Sequence, residues 1–179
     1  MPRSRYRIFE TGYPYFFTCT INAWLPVFIH PWAVEIIINS WRHLQAKANL
    51  QLFGYVIMEN HLHFIAQAAE LPELVRRFKS FTARQIIDEF SKRGHLTMLQ
   101  ELKFYKNVQK SEQEYQLWKE GAHPQQNDND EMMLQKLEYM RHNPLRRGYV
   151  VEPRHWRYSS AGAYLGEKGL IEVVTDWRL

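Results

Sequence analysis

Cysteine occurs once in 179 residues, which excludes an internal disulfide framework and suits a reducing compartment. Long apolar runs are missing. The longest, such as AVEIIIN, fall far short of the ~20 residues of a membrane helix. The opening MPRSRYRIFE has no apolar stretch behind its basic residues, so no secretory leader is expected. Internal repeats and low-complexity linkers are also lacking.

What is present is an ordinary globular mix of 45% hydrophobic and 23% charged residues. The length allows one well-buried core and is short of two ordinary domains. One domain over residues 1–179 is therefore expected, with 145–179 as its basic and aromatic extension, and a soluble, intracellular setting. Lys and Arg number 23 against 19 Asp and Glu, for a net charge of +4 and a pI near 9.2. That modest excess suits a polyanionic partner without demanding one. Aromatics reach 15%, enough for base-stacking platforms or for an aromatic-rich core.

Tyr15 to Ile21 is aromatic and β-branched after Gly12 and Pro14, and reads as a strand. Pro31 suits a helix start, and Val34, Ile37, Ile38, Trp41 and Leu44 recur at helical spacing up to Ala48. Leu52 to Met58 and His61 to Gln67 read as two strands joined by a tight turn at Glu59-Asn60. A second helix is expected from Pro72 to Lys92, with Leu74, Phe78, Phe81, Ile86 and Phe90 buried and Gly94 as its stop. Leu96 to Tyr105 reads as a short helix and Glu114 to Lys119 as a short strand. Residues 121–129 are polar and aperiodic, as in an exposed loop. Asp128 or Asp130 is expected to cap a last helix, with Met133, Leu134, Leu137 and Met140 inward and its end near Asn143, because Pro144 disfavours helix before it. This order predicts an α+β fold with helices on one sheet face.

Two features carry chemistry. On a strand, His61 and His63 point to one face and Leu62 and Phe64 to the other. Two such imidazoles can chelate a metal if a third ligand joins them, although an isolated H-x-H is more often a surface pair. Tyr139 lies off the centre of the last helix's apolar stripe, where its hydroxyl could serve as a nucleophile or simply edge the core. Asn143 falls one turn later.

The segments YVIMENHLHFIAQ, QKLEYMRHNPLRRGYV and PRHWRYSSAGAYL, in that order, resemble the REP-associated tyrosine transposases, relatives of the single-tyrosine HUH transposases. The resemblance spans nearly the whole chain. It implies a ferredoxin-like antiparallel sheet with helices on one face. It also implies a metal-dependent endonuclease that cleaves and rejoins single-stranded, hairpin-bearing DNA through a 5′-phosphotyrosine. Position by position, His61 and His63 match the histidine pair and Tyr139 the nucleophile. Asn143 falls at the third ligand, where relatives often carry Gln, and His142 competes with it. The implied cofactor is Mg2+ or Mn2+, and the implied setting is the bacterial cytoplasm at the nucleoid, with a homodimer allowed. Arg146, Arg147, Arg76, Arg77, Lys79 and Arg84 are expected to bind phosphates, and Trp118, Trp156, Tyr149 and Tyr158 to stack on bases. His123-Pro124 also resembles a recurrent family piece, with no physical role apparent. Two other readings stay open: a non-cleaving binder of structured DNA or RNA with the same fold, and a small H-x-H zinc hydrolase.

Overall fold

The computed structural model describes residues 12–177, so the basic opening segment lies outside the described residues. Three long strands, β1 (Tyr15–Thr20), β2 (Gln51–Ile57) and β3 (His61–Gln67), and a two-residue strand, β4 (Gln125–Gln126), form one antiparallel sheet in the order β2-β3-β1-β4. Between them run α1 (Pro31–Ala48), α2 (Leu71–Lys92), α3 (Leu96–Phe104) and α4 (Asp130–Arg146). Among the described residues no helix is long and apolar enough to cross a membrane.

The alternation of side chains decides both faces of the sheet. Phe17, Cys19, Leu62, Phe64 and Ala66 point to one face and meet Ile37, Trp41, Leu74 and Phe78 of α1 and α2. Phe16, Val56, Met58 and Ile65 point to the other and meet Met133, Leu137 and Met140 of α4. The expected single layer of helices holds for α1 and α2, whereas α4 covers the opposite face. The reason is that Phe53 and Val56 of β2 and Ile65 of β3 make the second face apolar enough to need cover, and a single helical layer can bury only one face. Gly54 permits the close approach of α4: a Cβ there would lie 2.7 Å from Leu137 Cδ2 and 3.0 Å from Met140 Cε.

Several local expectations are corrected. The 114–119 segment makes only an isolated bridge, Ile21 to Trp118: Lys119 N reaches Thr20 O and Asn22 N reaches Leu117 O, while Gln116 N turns away to Leu102 O of α3. Residues 121–129 are no free loop: Gln125 and Gln126 pair with β1, and Asn127 is fully buried. The cap of α4 is Asn129, whose side chain accepts from Met132 N at 2.9 Å, rather than either flanking Asp. The helix also runs through Pro144 to Arg146; the residue is buried, and its carbonyl accepts from Tyr149 N. A proline removes one intrahelical bond, and one turn from the helix end that loss is small enough to be outweighed by packing. Phe81 and Leu134 lie half in solvent at 53% and 52% exposure, not in the core.

The chain beyond α4 lies along the outer edge of β2. Ile57 N donates to Tyr158 O, Ser160 N to Tyr55 O and Val174 N to Leu52 O.

Candidate functional site

The site is built on β3. His61 and His63 face α4, with Thr20 and Thr18 beside them in the register of β1. Both rings are buried, at 7% and 4% exposure, and their centroids are 5.0 Å apart. Each Nδ1 has a partner: Asn60 Oδ1 at 2.7 Å for His61 and Thr18 Oγ1 at 2.9 Å for His63. That leaves the Nε2 edges, and the Nε2 of His63 is buried with no hydrogen-bond partner.

Burial holds both imidazoles neutral. For His63, desolvation, helped by the neighbouring His61, takes the pKa down to about 3 against a hydrogen bond to the Phe17 backbone that opposes it. For His61 the direction is the same, with burial dominant, Glu59 opposing and Arg147 reinforcing it. When Nδ1 holds the proton and donates it to Asn60 Oδ1 or Thr18 Oγ1, the neutral imidazoles present free Nε2 lone pairs, the state in which histidine ligates metals.

Helix α4 supplies the nucleophile candidate. The Tyr139 ring stands edge-on to His63 at 5.2 Å and to Phe16 at 6.0 Å, and remains 39% exposed. Two turns on, the Arg146 guanidinium lies 5.6 Å from the centre of the same ring. Asn143 is one turn from Tyr139, and its buried Nδ2 has no partner; turning the amide over would put the oxygen in that place. His142 is instead exposed and engaged with Glu138 through its backbone oxygen and carboxylate, so the structure gives it no part in the site. Among the described residues no group of three His, Cys, Asp and Glu side chains is placed to hold a metal. The histidine pair therefore lacks the third His, Cys or carboxylate of ordinary catalytic zinc sites. An amide, a phosphate oxygen or water can complete the set.

The basic and aromatic candidates separate. Arg147 is close to the pair, bonded at 3.2 Å to Glu59, whose second oxygen is buried without a partner. Trp156 stacks on Tyr149 at 5.4 Å and donates Nε1 to Ile57 O, and Tyr158 meets its edge. Trp118 cannot be a platform: it is 5% exposed, and its Nε1 donates to Thr82. Lys79 points its ammonium into the carbonyls of Lys119 and Gly121, and burial lowers its pKa. Arg76, Arg77 and Arg84 line a groove of about 640 Å³ between α1 and α2, on the far face of the sheet from the histidines. Arg76 is also paired with Glu73 there. His123 holds a left-handed φ of 43° just before β4.

Three groups near the site went unread in the sequence. Glu59 was visible only as a turn residue. Lys136 lies over the Phe16 ring at 5.0 Å and bonds Gln125; its place one turn before Tyr139 was the available signal. Trp24 meets the His61 ring at 6.1 Å, with no pattern around it to mark it.

No family model matches the chain, and no curated protein does. Among solved structures it is similar to a REP-associated tyrosine transposase bound to a REP hairpin, with a TM-score of 0.67 at 13% identity, covering 100% of this chain and 99% of that one. It is also similar to a provisionally assigned transposase from Deinococcus radiodurans R1, at 18% identity, 78% and 95% coverage and a TM-score of 0.45. The first match shows a common fold over the full length.

Proposed function

We propose that this chain, which shares the fold of a REP-associated tyrosine transposase, is a transposase-type endonuclease that cleaves and rejoins single-stranded, hairpin-bearing DNA through Tyr139. The observation that carries the reading is the half-exposed Tyr139 ring 5.2 Å from a buried, neutral histidine whose Nε2 has no partner. His61 and His63, with Asn143, would hold a divalent ion, Mg2+ or Mn2+, which would polarise the scissile phosphate and offset its developing charge.

Tyr139 Oη attacks the phosphorus and bonds to it as the P–O3′ bond breaks. The phenolic proton leaves to solvent, and the departing 3′ oxygen takes one up. The strand 3′ of the cut stays on the tyrosine by its 5′ phosphate. Attack by a 3′ hydroxyl reverses the step, so rejoining needs no nucleotide triphosphate. Arg146, whose guanidinium lies over the phenol ring, and Arg147 would neutralise backbone phosphates near the reacting one.

The test is covalent trapping. Wild type incubated with Mn2+ and a hairpin carrying a single-stranded extension should give a denaturation-resistant adduct, with the linkage mapped to Tyr139. Tyr139→Phe, which keeps the ring, should bind the hairpin and form no adduct. Cleavage without any adduct would replace this reading with water-mediated hydrolysis. Hairpin binding with neither cleavage nor adduct would leave a non-cleaving binder.

A further inference from the structure

The turn after β1 carries two consecutive non-glycine residues in the left-handed region, Ala23 at φ 52° and Trp24 at φ 57°. Such a conformation is unfavourable for residues other than glycine and persists where surrounding structure enforces it, often at functional sites. Here it projects a tryptophan with 54% of its surface in water, although burial in a core is the ordinary use of so large a ring. The Trp24 ring meets His61 at 76° and 6.1 Å, and the Lys119 ammonium lies 5.9 Å from its centre.

The turn is tied to the histidine pair by one side chain. Asn60 donates from Nδ2 to Trp24 O at 3.3 Å while its Oδ1 pairs with His61 Nδ1 at 2.7 Å. Its backbone oxygen accepts from Ile21 N at 2.9 Å. The exposed indole is thereby held at a set place beside His61, just as Tyr139 is held beside His63. One ring therefore stands at each histidine, Trp24 at His61 and Tyr139 at His63.

We propose that Trp24 is a stacking platform for an unpaired base, that of the nucleotide 5′ of the scissile phosphate. The assignment of side rests on the reading of Tyr139 as nucleophile. In an in-line displacement the leaving oxygen departs opposite the attacking one. With the phosphate at the histidines and Tyr139 at His63, the 3′ oxygen and its nucleoside lie toward His61, where Trp24 is. An indole face accepts any base, and the Lys119 ammonium adds attraction for the strand's phosphates.

The experiment uses the full chain with Tyr139→Phe to prevent turnover, and two probes: single-stranded (dT)20 and an abasic strand of the same length and charge. Trp24→Ala should weaken (dT)20 binding roughly ten-fold and leave binding of the abasic strand within about two-fold. Trp24→Phe should restore most of the affinity. Trp24→Gly removes the backbone strain, so it should fold at least as well yet bind like Trp24→Ala. Equal losses on both probes, or full affinity in Trp24→Gly, would overturn the platform; so would a failure of (dT)20 to bind at all. Position is read on a hairpin strand whose cut is mapped with wild type. One abasic nucleotide 5′ of the cut should abolish the difference between Trp24 and Trp24→Ala, and one placed 3′ should preserve it. The reverse pattern overturns the assignment of side. If wild type cuts nothing, the endonuclease reading and the assignment of side fail together, while the (dT)20 comparison still decides whether Trp24 stacks.

Discussion

Acid should destabilise the metal-free protein through His63 in a calculable way. Its ordinary pKa of 6.5 falls to about 3 in the fold. Well above pH 6.5 neither the folded nor the unfolded imidazole binds a proton, and the stability contribution is fully present. As pH falls below 6.5 the unfolded chain takes up the proton and the folded chain does not, until about pH 3. Stability is therefore lost across that window, by about 1.4 kcal/mol per pH unit in its middle. Between neutrality and pH 5 the loss is about 2 kcal/mol, and the full window is worth on the order of 5 kcal/mol. His61, shifted in the same direction, adds to the effect. Urea unfolding followed by tryptophan fluorescence in chelator, at about pH 7, 6 and 5, measures the slope. His63→Gln has no imidazole to titrate and should flatten that slope while other groups continue to contribute. Equal slopes for wild type and His63→Gln would mean that the folded ring protonates freely, and the account of a dry, neutral pair would be wrong.

Further outcomes follow from particular contacts. Gly54→Val places branched carbon where even a single Cβ meets Leu137 at 2.7 Å. It should cost about 1–3 kcal/mol by overpacking and lower the adduct yield, since α4 must move off the sheet; an unchanged melting temperature would refute the close-approach role. Arg146→Ala should reduce the salt slope of single-strand binding by about 0.7. Lys79→Ala, whose ammonium is spent on carbonyls, should leave that slope alone, and a matching drop would put Lys79 back at the nucleic-acid surface. Thr18→Val, nearly isosteric, removes the hydroxyl at His63 Nδ1 and should weaken apparent Mn2+ affinity about ten-fold or more, as read by calorimetry without DNA.

The sequence spoke clearly where one local rule governed. The three long strands and α1, α2 and α4 follow from period, proline and glycine, and the common face of His61 and His63 is strand geometry alone. It was silent where distant segments decide. β4 exists because Gln125 and Gln126 find β1, more than a hundred residues earlier, and no propensity in a polar stretch announces that. Trp118 and Lys79 resembled nucleic-acid contacts by residue type, but Thr82 and two backbone carbonyls claim them. Pro144 marked a helix end by the usual rule, yet burial carried the helix past it. Trp24 was hidden because its left-handed turn contains no glycine, the residue that ordinarily signals one.

The chain that follows α4 has one more consequence. Sheets grow by adding strands to bare rims, and an unprotected rim recruits copies of the same protein. Here the long outer rim of β2 is already occupied by backbone from residues 158–160 and 174, and the opposite rim belongs to a strand only two residues long. Removing the last thirty or so residues would therefore do more than trim a basic tail. It would uncover a seven-residue template next to the strand that bears the histidines, and the shortened protein should be lost first to self-association rather than to any defect in its chemistry.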